Sequence, residues 1–129
     1  MAQHNDFGEL GEELACRFLA DQDYHLLTRN WRTGHLEVDI IADHFGEIVF
    51  VEVKSRHRET NDYTALSAVD MSKKRHLVEA ARVYLARHRL DAPFRFDIIT
   101  VVGERPPYEI THYRDAYSVQ RVHRRHFFY

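Results

Sequence analysis

Asp39, Glu52 and Lys54 stand inside two runs that are otherwise strongly apolar, LEVDIIA at Leu36–Ala42 and IVFVEVK at Ile48–Lys54. An unpaired buried charge costs several kcal/mol, so such groups persist in apolar runs when they pair, bind a metal or face a cleft. Two carboxylates brought together repel each other unless a cation lies between them. Ligands that are all oxygen favour a hard cation such as Mg²⁺, or Mn²⁺ in its place. The backbone carbonyl of Val53 offers one more oxygen. Lys54, two residues beyond Glu52, could orient or deprotonate an attacking water and neutralise charge on a phosphorane-like transition state. Metal, carboxylates and lysine together suit phosphodiester hydrolysis, in which the metal polarises the phosphate and activates water. The plainer alternative is a Glu/Lys ion pair at a strand end, with Asp39 an ordinary carboxylate near a turn.

The two runs must be brought together for this chemistry. Both are rich in β-branched residues and flank Asp43-His-Phe-Gly46, where Gly46 can take a left-handed conformation, so a hairpin is predicted. Side chains alternate along a strand. Val49, Val51 and Val53 then point one way, and Ile48, Phe50, Glu52 and Lys54 the other. Apolar residues on both faces predict a strand covered on both sides and central in its sheet. In the first run Glu37, Asp39 and Ile41 are predicted to share one face, and Val38, Ile40 and Ala42 the other. Pairing across the turn sets Asp39 beside Glu52.

The remaining chain supplies the scaffold. Leu10, Leu14, Phe18 and Leu19 recur at helical spacing and predict a helix from about Phe7 to Asp21. A short strand is predicted over Tyr24–Asn30. The polar stretch Arg56–Tyr63 reads as a flexible loop. A long helix is predicted over Leu66–Arg89, with Val69, Leu77, Ala81, Tyr84 and Leu85 on its apolar face. Phe94–Val102 is a fourth strand, Gly103–Pro107 breaks the chain, and Tyr108–Tyr113 is a candidate fifth strand at an edge. This order places the chain in the α/β class, with one central mixed sheet flanked by helices.

A length of 129 residues fits one domain spanning 1–129, with its core at about 7–117 and a tail at 118–129. No apolar run approaches the roughly 20 residues of a membrane helix. The N-terminal residues lack the basic and apolar regions of a signal peptide, and Cys16 has no cysteine to pair with, so a cytoplasmic location and no membrane association are expected. The net charge of −2 does not mark a nucleic-acid binder, but its distribution is uneven. Acidic residues crowd the first helix, and basic ones cluster at Lys54/Arg56/Arg58, Lys73/Lys74/Arg75, Arg87/Arg89 and Arg121/Arg124/Arg125. Of the 18 basic residues 15 are arginine, whose planar fork suits phosphate. A solvated, mixed-charge surface accounts for the same pattern.

Asp39…Glu52-Val53-Lys54 has the form D-(x)n-(D/E)-x-K and resembles the PD-(D/E)xK nuclease superfamily, which includes restriction endonucleases and archaeal Holliday-junction resolvases. Val38 stands where proline is usual. A narrower resemblance, to the bacterial YraN family of predicted nucleases, is carried by several motifs in order. They are Gly8-x-x-Gly11-Glu12-x-x-Ala15, Arg29-Asn30, Glu37-Val-Asp39-Ile-Ile, Val49-Phe-Val-Glu-Val-Lys54-Ser-Arg56, Ser72-Lys73 and Arg95-Phe-Asp97. The resemblance runs from Phe7 to about Tyr117. Gly34-His-Leu-Glu37 departs from it, because that family usually has Gly directly before Glu.

The resemblance implies a restriction-endonuclease-like three-layer fold with core order αβββαβ. It implies a Mg²⁺-dependent endonuclease acting on DNA, on branched or damaged forms, with Asp39, Glu52 and Val53 on the metal and Lys54 at the nucleophile. In the related resolvases a glutamate on the first helix completes the site. Glu12 matches it, as a ligand to a second metal or to a metal-bound water. Glu9 and Glu13 compete for that role, and a surface carboxylate near the helix dipole is the plain alternative. Arg56 and Lys73 are the expected phosphate contacts, or else solvated cations. Glu37 is a supporting candidate. Asp97 reads as the partner of a neighbouring arginine.

His123-x-x-His126 has no cysteine nearby and is not expected to hold zinc. Met71 and Phe127-Phe128-Tyr129 read as packing or terminal residues, and Trp31 and Tyr24 as packing aromatics rather than base-stacking ones. A non-catalytic nucleic-acid-binding or scaffold module that retains the fold is the competing function. Buried carboxylates, which repel phosphate, argue against it. A homodimer is expected where both strands of a branch are cut symmetrically, although no residue pattern marks an interface.

Overall fold

Five runs rich in β-branched and aromatic residues form one sheet, and two amphipathic segments cover its faces. The structure is a computed structural model and describes residues 6–119. The elements in chain order are α1 (Asp6–Ala20), β1 (His25–Thr33), β2 (Leu36–His44), β3 (Glu47–Arg56), α2 (Met71–Arg87), β4 (Phe94–Val102) and β5 (Glu109–Tyr117). The strands lie in the order β1-β2-β3-β4-β5. Neighbours are antiparallel except β3 and β4, which run parallel with Ile48 opposite Phe94 and Lys54 opposite Thr100. The sheet is therefore mixed and β3 is central, as its two apolar faces require.

One apolar cluster lies on the α2 side and joins Leu77, Val78, Ala81 and Tyr84 to Phe50, Phe96 and Ile98. The other lies on the α1 side and joins Ala15, Cys16 and Leu19 to Val49, Val51, Ile99 and Val101. The result is a three-layer α/β/α arrangement. Each cluster draws alternate residues from β3 and β4, the period of two that strands impose. Among the described residues no helix is long and apolar enough to cross a membrane.

Some elements differ from the sequence expectation. The predicted helix over Leu66–Arg89 is interrupted: Leu66–Ala68 is a short 3-10 turn, and α2 begins only at Met71. The Asp70 side chain accepts the Lys73 N–H at 2.9 Å and caps the new start. Val69 is buried before the cap rather than on the helix. β5 extends to Tyr117, well past Tyr113. Its continuation includes a register shift opposite Phe96/Ile98 and a left-handed Asp115 at φ 51°. The Arg56–Tyr63 stretch is pinned rather than loose. Arg56 Nη2 donates to the Tyr63 hydroxyl at 2.7 Å, and just beyond it the Ala65 N–H donates to Glu59 Oε2 at 2.6 Å. The Arg121/Arg124/Arg125 cluster, His123-x-x-His126 and Phe127–Tyr129 lie outside the described residues.

Strand β2 does not keep one alternation from end to end. Val38 and Ile41 pack into the α2-side cluster, whereas Ile40 and Ala42 pack into the α1-side cluster. The predicted grouping of Val38 with Ile40 and Ala42 is thus broken at Asp39. On the neighbouring strand Asn30 has a left-handed φ of 51°. That conformation twists the β1–β2 ribbon locally, as a single αL residue in a strand does.

Candidate metal centre

The hairpin of β2 and β3 closes over Phe45 and Gly46, both with positive φ, as two-residue turns that match strand twist require. Pairing then runs from His44↔Glu47 to Ile40↔Val51 and stops. Asp39 and Glu52 are the residues just past that last pair. Since β2 turns away here, the backbone of β3 loses its ladder partner. The Val53 N–H is met instead by Asp39 Oδ2, at 2.9 Å. In a strand the N–H and C=O of one residue leave on the same side. The Val53 carbonyl is therefore directed toward the opening as well.

Glu52 is 3 % exposed, on a strand with a neighbour on each side. Its Oε2 lies 3.5 Å from Lys54 Nζ and 3.7 Å from Lys73 Nζ. Its Oε1 is buried with no hydrogen-bond partner among the described residues. Burial, and then the charge of Asp39, push the Glu52 carboxyl up to about 8. Burial likewise raises Asp39, against the opposing hydrogen bond from Val53. The two carboxyls lie within hydrogen-bonding reach of one another, but as two carboxylates they have no donor between them. A shared proton or a cation resolves that conflict.

Helix α1 brings Glu12 to the same opening. Gly11 makes this approach close: a Cβ there would stand 1.9 Å from Ser55 Oγ. Glu12 Oε1 lies 3.9 Å from Arg29 Nη2, and the Asn30 side chain hydrogen-bonds the carboxylate. Burial and the Asp39 charge raise the Glu12 carboxyl, and Arg29 and Asn30 oppose that rise. Of the three glutamates in competition, Glu12 is the one that lines the cavity, while Glu13 is turned outward to Arg17 and Arg29.

These groups line a cleft of about 490 Å³ walled by Glu12, Glu37, Asp39, Glu52, Val53, Lys54, Arg56 and Lys73, among others. The expected residues thus share one cavity. Glu37 is held by Arg32 at 3.2 Å and stands at its side. Arg56 reaches the wall with its guanidinium already spent on the Ser55 carbonyl and the Tyr63 hydroxyl. Four carboxyl groups face three cations, and with Glu52 protonated the charges balance, so the cleft offers an approaching phosphate no net attraction until a divalent cation joins them.

The donor set fits a magnesium-like ion in a specific way. No three His, Cys, Asp or Glu side chains converge on one point among the described residues. Glu12 shares the cavity without closing a three-carboxylate cluster with Asp39 and Glu52, the placement of a ligand to a second ion or to a metal-bound water. Two carboxylates, one backbone oxygen and waters remain, and Mg²⁺ characteristically takes one or two carboxylates while keeping several waters.

The chain has only three lysines, and two of them point at one oxygen of Glu52. Elsewhere basic positions are nearly all arginine. An ammonium is a compact point charge on a flexible stem and suits a site where a small moiety must be met without a fixed fork. The roles of Arg29 and Asn30 as holders of Glu12, and of Gly11 and Ser55 as the α1–β3 contact, were not assigned by sequence reasoning. The available signal was the place of Gly11 and Ser55 inside the motifs that carry Glu12 and Lys54, and of Arg29-Asn30 as a motif of its own.

Fold and cavity together define an α/β protein with a carboxylate–lysine cleft at the end of its central hairpin. The chain belongs to the uncharacterised protein family UPF0102, whose profile matches residues 11–101, as its YraN-like motifs indicate. A UPF0102 protein of Phocaeicola vulgatus is 41% identical over 117 residues, covering 91% of this chain and 96% of its own. One of Bacteroides thetaiotaomicron is 43% identical over 117 residues with the same coverage. One of Flavobacterium psychrophilum is 40% identical over 118 residues and is covered over 98% of its length.

Proposed function

We propose that this protein is a divalent-metal-dependent endonuclease of PD-(D/E)xK type that hydrolyses DNA phosphodiester bonds. The observation that carries the reading is the pair Asp39/Glu52: the buried Glu52 carboxyl lies against the half-buried carboxyl of Asp39, with Glu52 Oε1 left without a partner. A pair of this kind lowers stability unless a cation relieves it. A module that only bound nucleic acid would gain nothing from it.

Asp39, Glu52 and the Val53 carbonyl would hold Mg²⁺ or Mn²⁺, which supplies Lewis-acid polarisation of the phosphate and a more acidic water. Asp39 also fixes the β3 backbone through the Val53 N–H, so the carbonyl oxygen is held in place. Lys54, on the same face as Glu52, orients the attacking water and donates to the phosphate oxygens as charge grows on them, while the proton of that water leaves to solvent. Lys73 reaches the cleft from α2 and counters charge that grows on the phosphate oxygens. Glu12, steadied by Arg29 and Asn30, accepts a hydrogen bond from water at the cleft wall.

The test is cleavage of single-stranded, duplex and branched DNA with Mg²⁺ or Mn²⁺ by the parent, Asp39→Ala and Glu52→Ala. Metal-dependent cleavage lost in both variants is the expected result. Cleavage that persists in both sinks the assignment of these residues. No cleavage of any substrate, together with metal-independent DNA binding, establishes the non-catalytic module instead.

A further inference from the structure

The cleft has an aromatic wall that the hydrolytic reading leaves unused. Phe7, in the first turn of α1, stacks on His57, just past β3, with ring centroids 4.2 Å apart and planes 12° from parallel. Both residues line the cavity that holds Asp39, Glu52 and Lys54. Neither belongs to either apolar cluster. Phe7 is half-buried and also touches Tyr108 at 5.6 Å. His57 is exposed, so with one ring face on Phe7 a further flat ring can continue the stack on the other.

We propose that the Phe7–His57 stack is a platform for an unpaired nucleobase, which makes single-stranded or locally unpaired DNA the substrate class of this cleft. The proposal rests on the nuclease reading above and adds what that reading lacks, a group that meets the base rather than the phosphate. Three residues at about 3.3 Å each put His57 roughly 10 Å beyond Lys54, the span of two to three stacked nucleotides. A phosphate at the lysines and a base at His57 can therefore belong to one short strand segment. Inside a duplex both faces of a base are covered by its neighbours. Stacking on a protein ring is open only to bases that have left the stack, and it tolerates any sequence.

The test uses the full chain with fluorescein-labelled oligodeoxynucleotides, one single strand and one blunt duplex, in Ca²⁺ buffer, read by fluorescence anisotropy. Far-UV circular dichroism establishes that His57→Ala and His57→Trp are folded. His57→Ala is expected to weaken single-strand binding by roughly 5- to 150-fold, the range that loss of one base–aromatic stack produces. Duplex binding should stay within about twofold, and His57→Trp should restore the single strand. Equal loss on both ligands, no loss, or no single-strand binding by the parent overturns the platform. Calorimetric Mn²⁺ titration of the same proteins separates the two readings. Mn²⁺ binding without a His57-dependent strand preference overturns the platform alone, whereas that preference without Mn²⁺ binding overturns the nuclease reading alone.

Discussion

Gly11 on α1 lies so close to Ser55 on β3 that a Cβ at residue 11 would stand 1.9 Å from Ser55 Oγ and 3.2 Å from Ser55 Cβ. This contact sets how deeply α1 carries Glu12 into the cleft. Rotation of the Ser55 hydroxyl removes the first overlap and leaves the second, so the helix must retreat by a few tenths of an ångström in Gly11→Ala. Overpacking of about 1–3 kcal/mol is offset by about 1 kcal/mol of improved helix propensity. Stability measured by urea unfolding should therefore fall by no more than about 2 kcal/mol, while cleavage falls with the displacement of Glu12. Pairing Gly11→Ala with Ser55→Ala should recover part of the activity, and no recovery would separate the helix position from the reaction.

Metal affinity should depend steeply on pH. Glu52 is raised to about 8, so near neutrality the folded apoprotein keeps a proton that a cation must expel. Mn²⁺ affinity is expected to rise by up to about tenfold per pH unit from pH 6 to 8 and to level off above. Calorimetry in two buffers of different ionisation enthalpy should count about one proton released at pH 6.5. A pH-independent affinity would show that the pair is not what the metal meets.

The same carboxyl makes an unusual stability prediction. Its folded value lies above its ordinary 4.5, so the stabilisation it gives is fully present below that value and is lost as pH rises through about 8. Glu52→Gln, neutral at every pH, should match the parent near pH 4.5, exceed it increasingly up to about pH 8 and keep a constant advantage above that. The slope of the difference is at most about 1.4 kcal/mol per pH unit for one proton. Thermal melts of the metal-free proteins across this range read it directly.

Asp97 should behave in the opposite way. It is fully buried and accepts from Arg95 Nε at 3.0 Å and from the Asp115 N–H at 3.0 Å, with His112 Nε2 at 2.7 Å. Burial alone would raise it. The bonds from His112, Arg95 and Asp115 outweigh that and hold it below its ordinary 3.8. Its contribution is present above 3.8 and is lost as pH falls through the lower folded value. Arg95→Ala removes the guanidinium and leaves Asp97 with only the His112 and Asp115 contacts, and should cost about 3–5 kcal/mol at pH 7. Mn²⁺ affinity of the folded fraction should not change, because Asp97 faces the α1 side and does not line the cleft.

Lys54→Met should separate binding from chemistry. The ammonium lies 3.5 Å from Glu52 and is not among the oxygen ligands. Mn²⁺ titration should remain positive, while cleavage drops by about 10²–10³-fold, as loss of one transition-state donor does. A variant that lost metal binding as completely as Asp39→Ala would reassign Lys54 to holding the pair together.

Much of this arrangement was legible in the chain itself. The central place of β3 followed from apolar residues on both of its faces, and Asp39 beside Glu52 followed from one hairpin register. The Asp97–Arg95 pair was expected and is formed. The break in β2 at Asp39 was not legible, because it coincides with a left-handed Asn30 opposite it on the neighbouring strand, a backbone feature. No side-chain period records a backbone twist borrowed from another strand. The cap at Asp70 was open to reading but was hidden by Leu66 and Val69, which stand before the true start and continue the helical spacing backward. Gly11 against Ser55 joins residues far apart in sequence, and a lone glycine does not say what it must admit.

The parallel pairing of β3 with β4 also has a consequence for the nascent chain. β1, β2 and β3 can form a meander as soon as they are made, but β4 joins only after α2 has been crossed. Until then β3 presents an open edge with the sequence IVFVEVK, a run prone to pair with other chains. Glu52 and Lys54 are the charges within that run, and Glu47 and Arg56 stand at the ends of the strand. Charges set within an apolar edge run are the kind that disfavour edge-to-edge pairing.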